Sequence, residues 1–121
     1  MGAHNSHLTV YSADGSHSYN KFLSNILSNC NIGISAPGFG GGAPYHLCDR
    51  YNEIGGQGTA AGNTIVNFGG GGSASASSAI QVSAQYHLLI ANNIINNNKG
   101  TGIPHLTTLR GIQLLDAPDA V

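Results

Sequence analysis

The chain is 121 residues long, with 18 glycines, 13 asparagines, 40% apolar residues and only nine charged side chains, four basic and five acidic, for a net charge of −1. Four basic residues leave no electrostatic footprint for a nucleic acid and no block of like charge to form a tail or a membrane patch. No apolar run approaches the roughly 20 residues of a membrane span, and Met1 to Leu8 lack the charged and apolar regions of a signal peptide.

Near neutrality combined with this apolar content excludes the composition of a disordered chain, so the sequence reads as one packed domain, 1–121, with many turns. Cys30 and Cys48 have neither CxxC nor zinc-type spacing and read as two free thiols, with no metal and no cofactor implied.

In chain order, the first element is Ser6-His7-Leu8. Next comes Phe22 to Leu27, read as a strand, because the serines, asparagines and weak capping of Lys21 to Asn29 disfavour a helix there. Ser24 to Asn31 supplies asparagines for corners, where the left-handed backbone suits Asn and stacked amides form ladders. Gly33-Ile34-Ser35 is a strand, and Ala36 to Pro44 is a turn. Its Gly38 to Gly42 stretch lacks the GK[ST] ending of a phosphate loop and reads as a corner insertion.

Tyr45-His46-Leu47 then repeats the pattern of Ser6-His7-Leu8. Asn63 to Phe68 is a strand, Gly69 to Gly72 a second glycine insertion, and Ser73 to Ser78 its flexible continuation. Ala79 to Val82 is a strand, Ser83 to Gln85 a turn, and Tyr86-His87-Leu88 the third copy of the motif. Asn93 to Asn96 is a strand with asparagine corners on both sides. Gly111 to Leu114 is a strand and Leu115 to Pro118 a turn, with Asp116 and Asp119 as turn residues. Asp119-Ala120-Val121 begins a fourth copy. The three motifs lie 39 and then 41 residues apart. Three short Ile/Val/Leu strands per repeat suit an all-β parallel solenoid, in which each coil buries its apolar face on the next.

Leu88 to Asn98, Gly102-Ile103, Gly111 to Leu114 and Asp116 to Val121 together resemble the right-handed parallel β-helix proteins of the pectate-lyase-like superfamily. That superfamily includes polysaccharide lyases, polygalacturonase-type hydrolases, alginate epimerases and phage tailspikes. The likeness extends more weakly over Ser6 to Ile34 and the middle coil. It implies a right-handed parallel β-helix of about three coils and recognition or processing of an extracellular polysaccharide, at a cell surface or on a virion, as part of a larger enzyme or spike. The chain is shorter than such proteins, and Val121 falls within a strand, so it looks like a fragment or a subunit stacked on further coils or on copies of itself. The alternative is a non-catalytic solenoid module that assembles end to end into a filament, or as a trimer.

If Leu8, Leu47 and Leu88 point inward, His7, His46 and His87 point outward and form a column, since adjacent strands lie about 4.8 Å apart. In the superfamily this outer face often forms the sugar groove, which makes His7, Tyr11, His46, Tyr51 and His87 candidate binding residues. Asp49 and Glu53 are the one close carboxylate pair in the body of the chain. On a straight strand they would lie about 13 Å apart, too far for glycoside hydrolysis unless the chain bends. Lyase chemistry would need a base and a cation, which His46 and Arg50 could supply. The candidate catalytic set is therefore Asp49, Glu53, Arg50 and His46.

Overall fold

The computed structural model describes residues 17–69, 76–97 and 108–121. His7, Leu8, Tyr11 and Gly102-Ile103 lie outside the described residues. The architecture is all-β: eleven strands and one 3-10 turn at Thr59–Ala61, with every strand pair parallel and no α-helix among the described residues.

A first sheet joins β1 (Lys21–Phe22), β5 (Glu53–Ile54) and β9 (Leu89–Ile90). A second joins β2 (Ile26–Ser28), β6 (Thr64–Val66) and β10 (Ile94–Asn96). A third joins β3 (Ile34–Pro37), β7 (Ser77–Ser83) and β11 (Leu109–Leu115), and a fourth pairs β4 (Asp49–Arg50) with β8 (Gln85–Tyr86). The chain thus visits the four sheets in cyclic order, and each strand pairs with the one four places further on. Strand pairing continues past β8: His87 N–H donates to the Pro118 carbonyl, and Val121 exchanges bonds with Leu88 and Ile90.

The registers explain the core. Ile34, Ile80 and Ile112 share one column, and Ala36, Val82 and Leu114 another. Leu27, Ile65 and Ile95 form a third, and Phe22, Ile54 and Ile90 a fourth. On the middle rung Ile54, Ile65, Ile80 and Val82 are fully buried, because each has neighbours above, below and across the interior. Alternation does the sorting: along β6, Ile65 points in while Thr64 and Val66 point out.

Between strands the chain turns through left-handed residues. Ser24, Asn29, Asn67, Ala84, Asn92 and Asp116 all have φ between 51° and 57°. Such corners turn backbone amides inward, where side-chain amides meet them. Asn25 donates from its backbone N–H and its side chain to Asn63 Oδ1 (3.1 and 2.8 Å). Asn63 in turn donates from both nitrogens to Asn93 Oδ1 (3.0 and 2.8 Å) and from Nδ2 to the Phe22 carbonyl (2.7 Å). Gly55 faces the same column at φ +76°, where a Cβ would overlap the Ala91 carbonyl oxygen, so only glycine fits.

Several readings change. Phe22 to Leu27 is two strands, β1 and β2, because Ser24 (φ 55°) turns the chain between them. The Tyr86 motif is likewise split by His87 (φ 51°), so a circuit has four strands rather than three. Ser77 and Ser78, expected in a flexible bulge, are buried in β7, where their hydroxyls donate to Asn31 Oδ1 and Gln113 Oε1. Both cysteines are free.

Asn63 is fully buried, and its removal would leave the Asn25 donors without their acceptor and Asn93 Oδ1 without its two donors, while the Phe22 carbonyl keeps the Gly55 N–H; each unmet group costs about 1–3 kcal/mol. Asn63→Ala is expected to lower the unfolding free energy by about 3 kcal/mol or more in urea titration, and Asn93→Ala by less, since Asn93 lies at the edge of the ladder.

Candidate functional site

The corner between the fourth and first sheets carries the densest chemistry of the described residues. Tyr19, Tyr51 and His87 each adopt a left-handed backbone (φ 60°, 55° and 51°). Each donates its N–H to the next rung, to Arg50, Tyr86 and Pro118 respectively. The three side chains therefore lie one above another. Tyr19 stacks on Tyr51 (centroids 5.2 Å apart, 18° between planes), and Tyr51 stacks on His87 (5.1 Å, 8°). A left-handed tyrosine is sterically costly, and stacking at about 0.5–1.5 kcal/mol per pair offsets it. Tyr86 leans against His87 (4.0 Å, 49°), and Tyr45 leans against Tyr86 (5.1 Å, 31°). Five rings thus form one continuous face, with Tyr19 69% exposed at its end.

The column differs from the one expected. Tyr51, not His46, stands beside His87, because the register sets Asp49 against Gln85 and Arg50 against Tyr86. The likeness of Tyr45-His46-Leu47 to Tyr86-His87-Leu88 arises from composition. The Gly38 to Cys48 insertion carries the former out of the strand, and His46 and Leu47 lie exposed in that loop. Arg50 anchors the loop: its Nη2 donates to the carbonyls of Tyr45 (3.2 Å) and His46 (3.0 Å).

Of the candidate catalytic residues, Arg50 meets the His46 backbone, whereas the two carboxylates are engaged separately. Asp49 is fully buried in β4; its Oδ1 accepts from the His17 N–H (2.8 Å) and its Oδ2 from Gln85 Nε2 (3.2 Å). Glu53 begins β5 beyond the Tyr51 bend and forms an ion pair with Lys21 (2.9 Å). The bend comes at Tyr51, and it sends the two carboxylates to different sheets. A carboxylate with no exposed surface and bonds to both oxygens holds structure together, and a bound sugar has no access to it.

Behind the aromatic face lies a second amide network. Asn20 donates to Asn52 Oδ1 from its N–H and side chain (2.8 and 3.1 Å). Asn52 Nδ2 donates to Gln85 Oε1 and the His17 carbonyl (both 2.8 Å), and Gln85 Nε2 reaches Asp49 and the Ala36 carbonyl. This network locks the rungs from which Tyr19, Tyr51 and His87 project. Sequence reasoning overlooked Tyr19, Tyr45 and Tyr86 as site residues. The signal for Tyr19 was the repeat of Tyr19-Asn20-Lys21-Phe22 in Tyr51-Asn52-Glu53-Ile54, 32 residues on, the separation that links Asn20 to Asn52. No protein-family model, curated protein or solved structure matches the chain.

Hydrogen bonds from a charged donor contribute about 1.5–3 kcal/mol when well formed. Arg50→Ala is therefore expected to lower stability by about 1–2 kcal/mol in chemical denaturation, whereas His46→Ala, in an exposed position, should leave it within about 0.5 kcal/mol of the parent.

Proposed function

We propose that the protein is a right-handed parallel β-helix module of about three coils that recognises an extracellular polysaccharide without cleaving it. The cyclic order of the four parallel sheets supports the architecture. The row of Tyr19, Tyr51 and His87, repeated at about 5 Å, carries the functional reading. Because the rings stack on one another, they turn their edges outward, and with them two phenol hydroxyls and an imidazole. A regular row of amphipathic groups suits a ligand that is itself a repeating chain of hydroxyl-bearing rings, with C–H surfaces on aromatic carbon and hydroxyls on the polar tips. Tyr19, well exposed, offers a stacking platform at the end of the row among the described residues. Arg50 lies beside Tyr86 in the same stretch of wall and adds positive charge.

The fate of the acidic groups supports a reading without hydrolysis, with Asp49 buried in the amide network and Glu53 tied to Lys21. Neither is held as a free acid and base across a common groove.

Titration calorimetry against neutral and acidic polysaccharides tests this reading. The parent chain should bind at least one of them without shortening it, as judged by size-exclusion chromatography. Tyr51→Ala, which interrupts both stacks, should weaken binding about tenfold, equivalent to about 1.4 kcal/mol, while circular dichroism still reports β structure. Absence of binding to every polysaccharide, or production of shorter chains, would refute the proposal; the former result favours a purely structural module.

A further inference from the structure

Arg50 stands on β4 beside Tyr86 of β8, and its guanidinium is turned to the insertion loop. Nη2 donates to two successive loop carbonyls, those of Tyr45 (3.2 Å) and His46 (3.0 Å), which uses both of its hydrogens. Nε is buried without an acceptor, and among the described residues no carboxylate pairs with the group. A guanidinium grips a carboxylate through one of two forks, Nε with Nη2 or Nη1 with Nη2. Both forks include the nitrogen already spent, so Arg50 adds charge to the wall but is not arranged to grip an acidic sugar. The loop, in turn, depends on Arg50. Gly38 and Gly40 to Gly42 leave its backbone much freedom to lose on ordering. Two turns close it, from the Tyr45 N–H to the Gly42 carbonyl (2.9 Å) and from the Cys48 N–H to the Tyr45 carbonyl (3.2 Å), with Tyr45 left-handed between them (φ 59°). The Tyr45 carbonyl thus accepts from both Cys48 and Arg50, at the residue whose ring leans on Tyr86.

We propose that Arg50 is a positioning residue for recognition: through the loop carbonyls it sets the Tyr45 ring against Tyr86, and Tyr45 forms a second arm of the binding face. The proposal rests on the polysaccharide reading above and names how that site is extended. The five rings form a path that bends. Tyr19, Tyr51 and His87 follow successive rungs, the path leaves them at Tyr86, and Tyr45 meets Tyr86 without a ring contact to Tyr51 or Tyr19. A sugar ring carried past His87 therefore meets Tyr45 only while the loop is held. Because the arm belongs to the insertion and not to the repeated rungs, the strand spacing that orders the row does nothing for it. The hydrogen bonds of a charged donor do that work instead. They order a glycine-rich segment before the ligand arrives, so that binding does not have to supply the ordering.

Titration calorimetry with dextran, polygalacturonate and alginate, on the parent, Tyr45→Ala, Arg50→Ala and the double variant, tests the coupling, with circular dichroism confirming β structure in each. Either single change should weaken binding about fivefold, and the double variant should bind no more weakly than Tyr45→Ala, because Arg50 has no route to the ligand once the ring is gone. NMR without saccharide reads the contact directly. Nuclear Overhauser effects between the Tyr45 and Tyr86 rings should be lost in Arg50→Ala and kept in His46→Ala, whose carbonyl remains. In the parent, saccharide should shift the Tyr45 and Tyr86 ring signals and leave the Arg50 guanidinium signals in place. Should Arg50→Ala fail to fold, this titration of the parent decides alone. A loss from Arg50→Ala that persists in full beside Tyr45→Ala, ring contacts that survive Arg50→Ala, or guanidinium signals that move with the ligand would each overturn the proposal while leaving polysaccharide binding intact. A parent that binds none of these polysaccharides removes the reading beneath it as well.

Discussion

The fold depends on buried amides meeting buried backbone. A chain whose strands run only two to seven residues between corners brings peptide groups inward at each corner, and an unmet peptide group in an apolar interior costs more than a typical hydrogen bond returns. Asn52, Asn63 and Gln85 meet this demand. Each is buried, donates and accepts, and is bonded to a residue on another rung. Such a network tolerates little: complete, it specifies one register, and with a member missing it is worse than an apolar core. The aliphatic columns would pack nearly as well after a slip between similar rungs. The amides would not, because a slip separates donors from acceptors.

That division of labour explains which features were readable. Asn25 to Asn29, Asn63 to Asn67 and Asn93 to Asn97 share an asparagine, three strand residues and a closing asparagine, and their strands pair in that alignment. Local pattern and tertiary register coincide there. They part at Tyr45-His46-Leu47, where a triplet identical to Tyr86-His87-Leu88 draws the eye to the wrong place. The residue in phase with His87 is Tyr51, whose role comes from backbone conformation and position in the circuit. Ser77 and Ser78 mislead for a related reason. A serine-rich run reads as solvated loop, yet partners on neighbouring strands allow the hydroxyls to be buried.

Charge is scarce, and four of the charged groups among the described residues have a defined structural task. Asp49 closes the polar network, Glu53 and Lys21 bridge adjacent strands of the first sheet, and Arg50 pins a loop by its carbonyls. What faces outward at the corner is consequently aromatic and hydroxylic, a surface suited to broad, shallow contact. Its order comes at little entropic expense, since rings stacked on a fixed strand spacing have few rotamers left to lose.

The insertion between β3 and β4 has a further consequence. On one side Gly38 donates its N–H to Ser83, and on the other Asp49 is held by Gln85; both anchors belong to the neighbouring rung. The wall is thus held by its own strands on both sides of the insertion; Tyr45 and the buried Cys48 pack against it, and only the exposed tip around Gly42 and Ala43 stands clear of it. Because lengthening a loop adds closure entropy only logarithmically, that tip is where added residues would cost least and where a foreign peptide could be displayed beside the aromatic row.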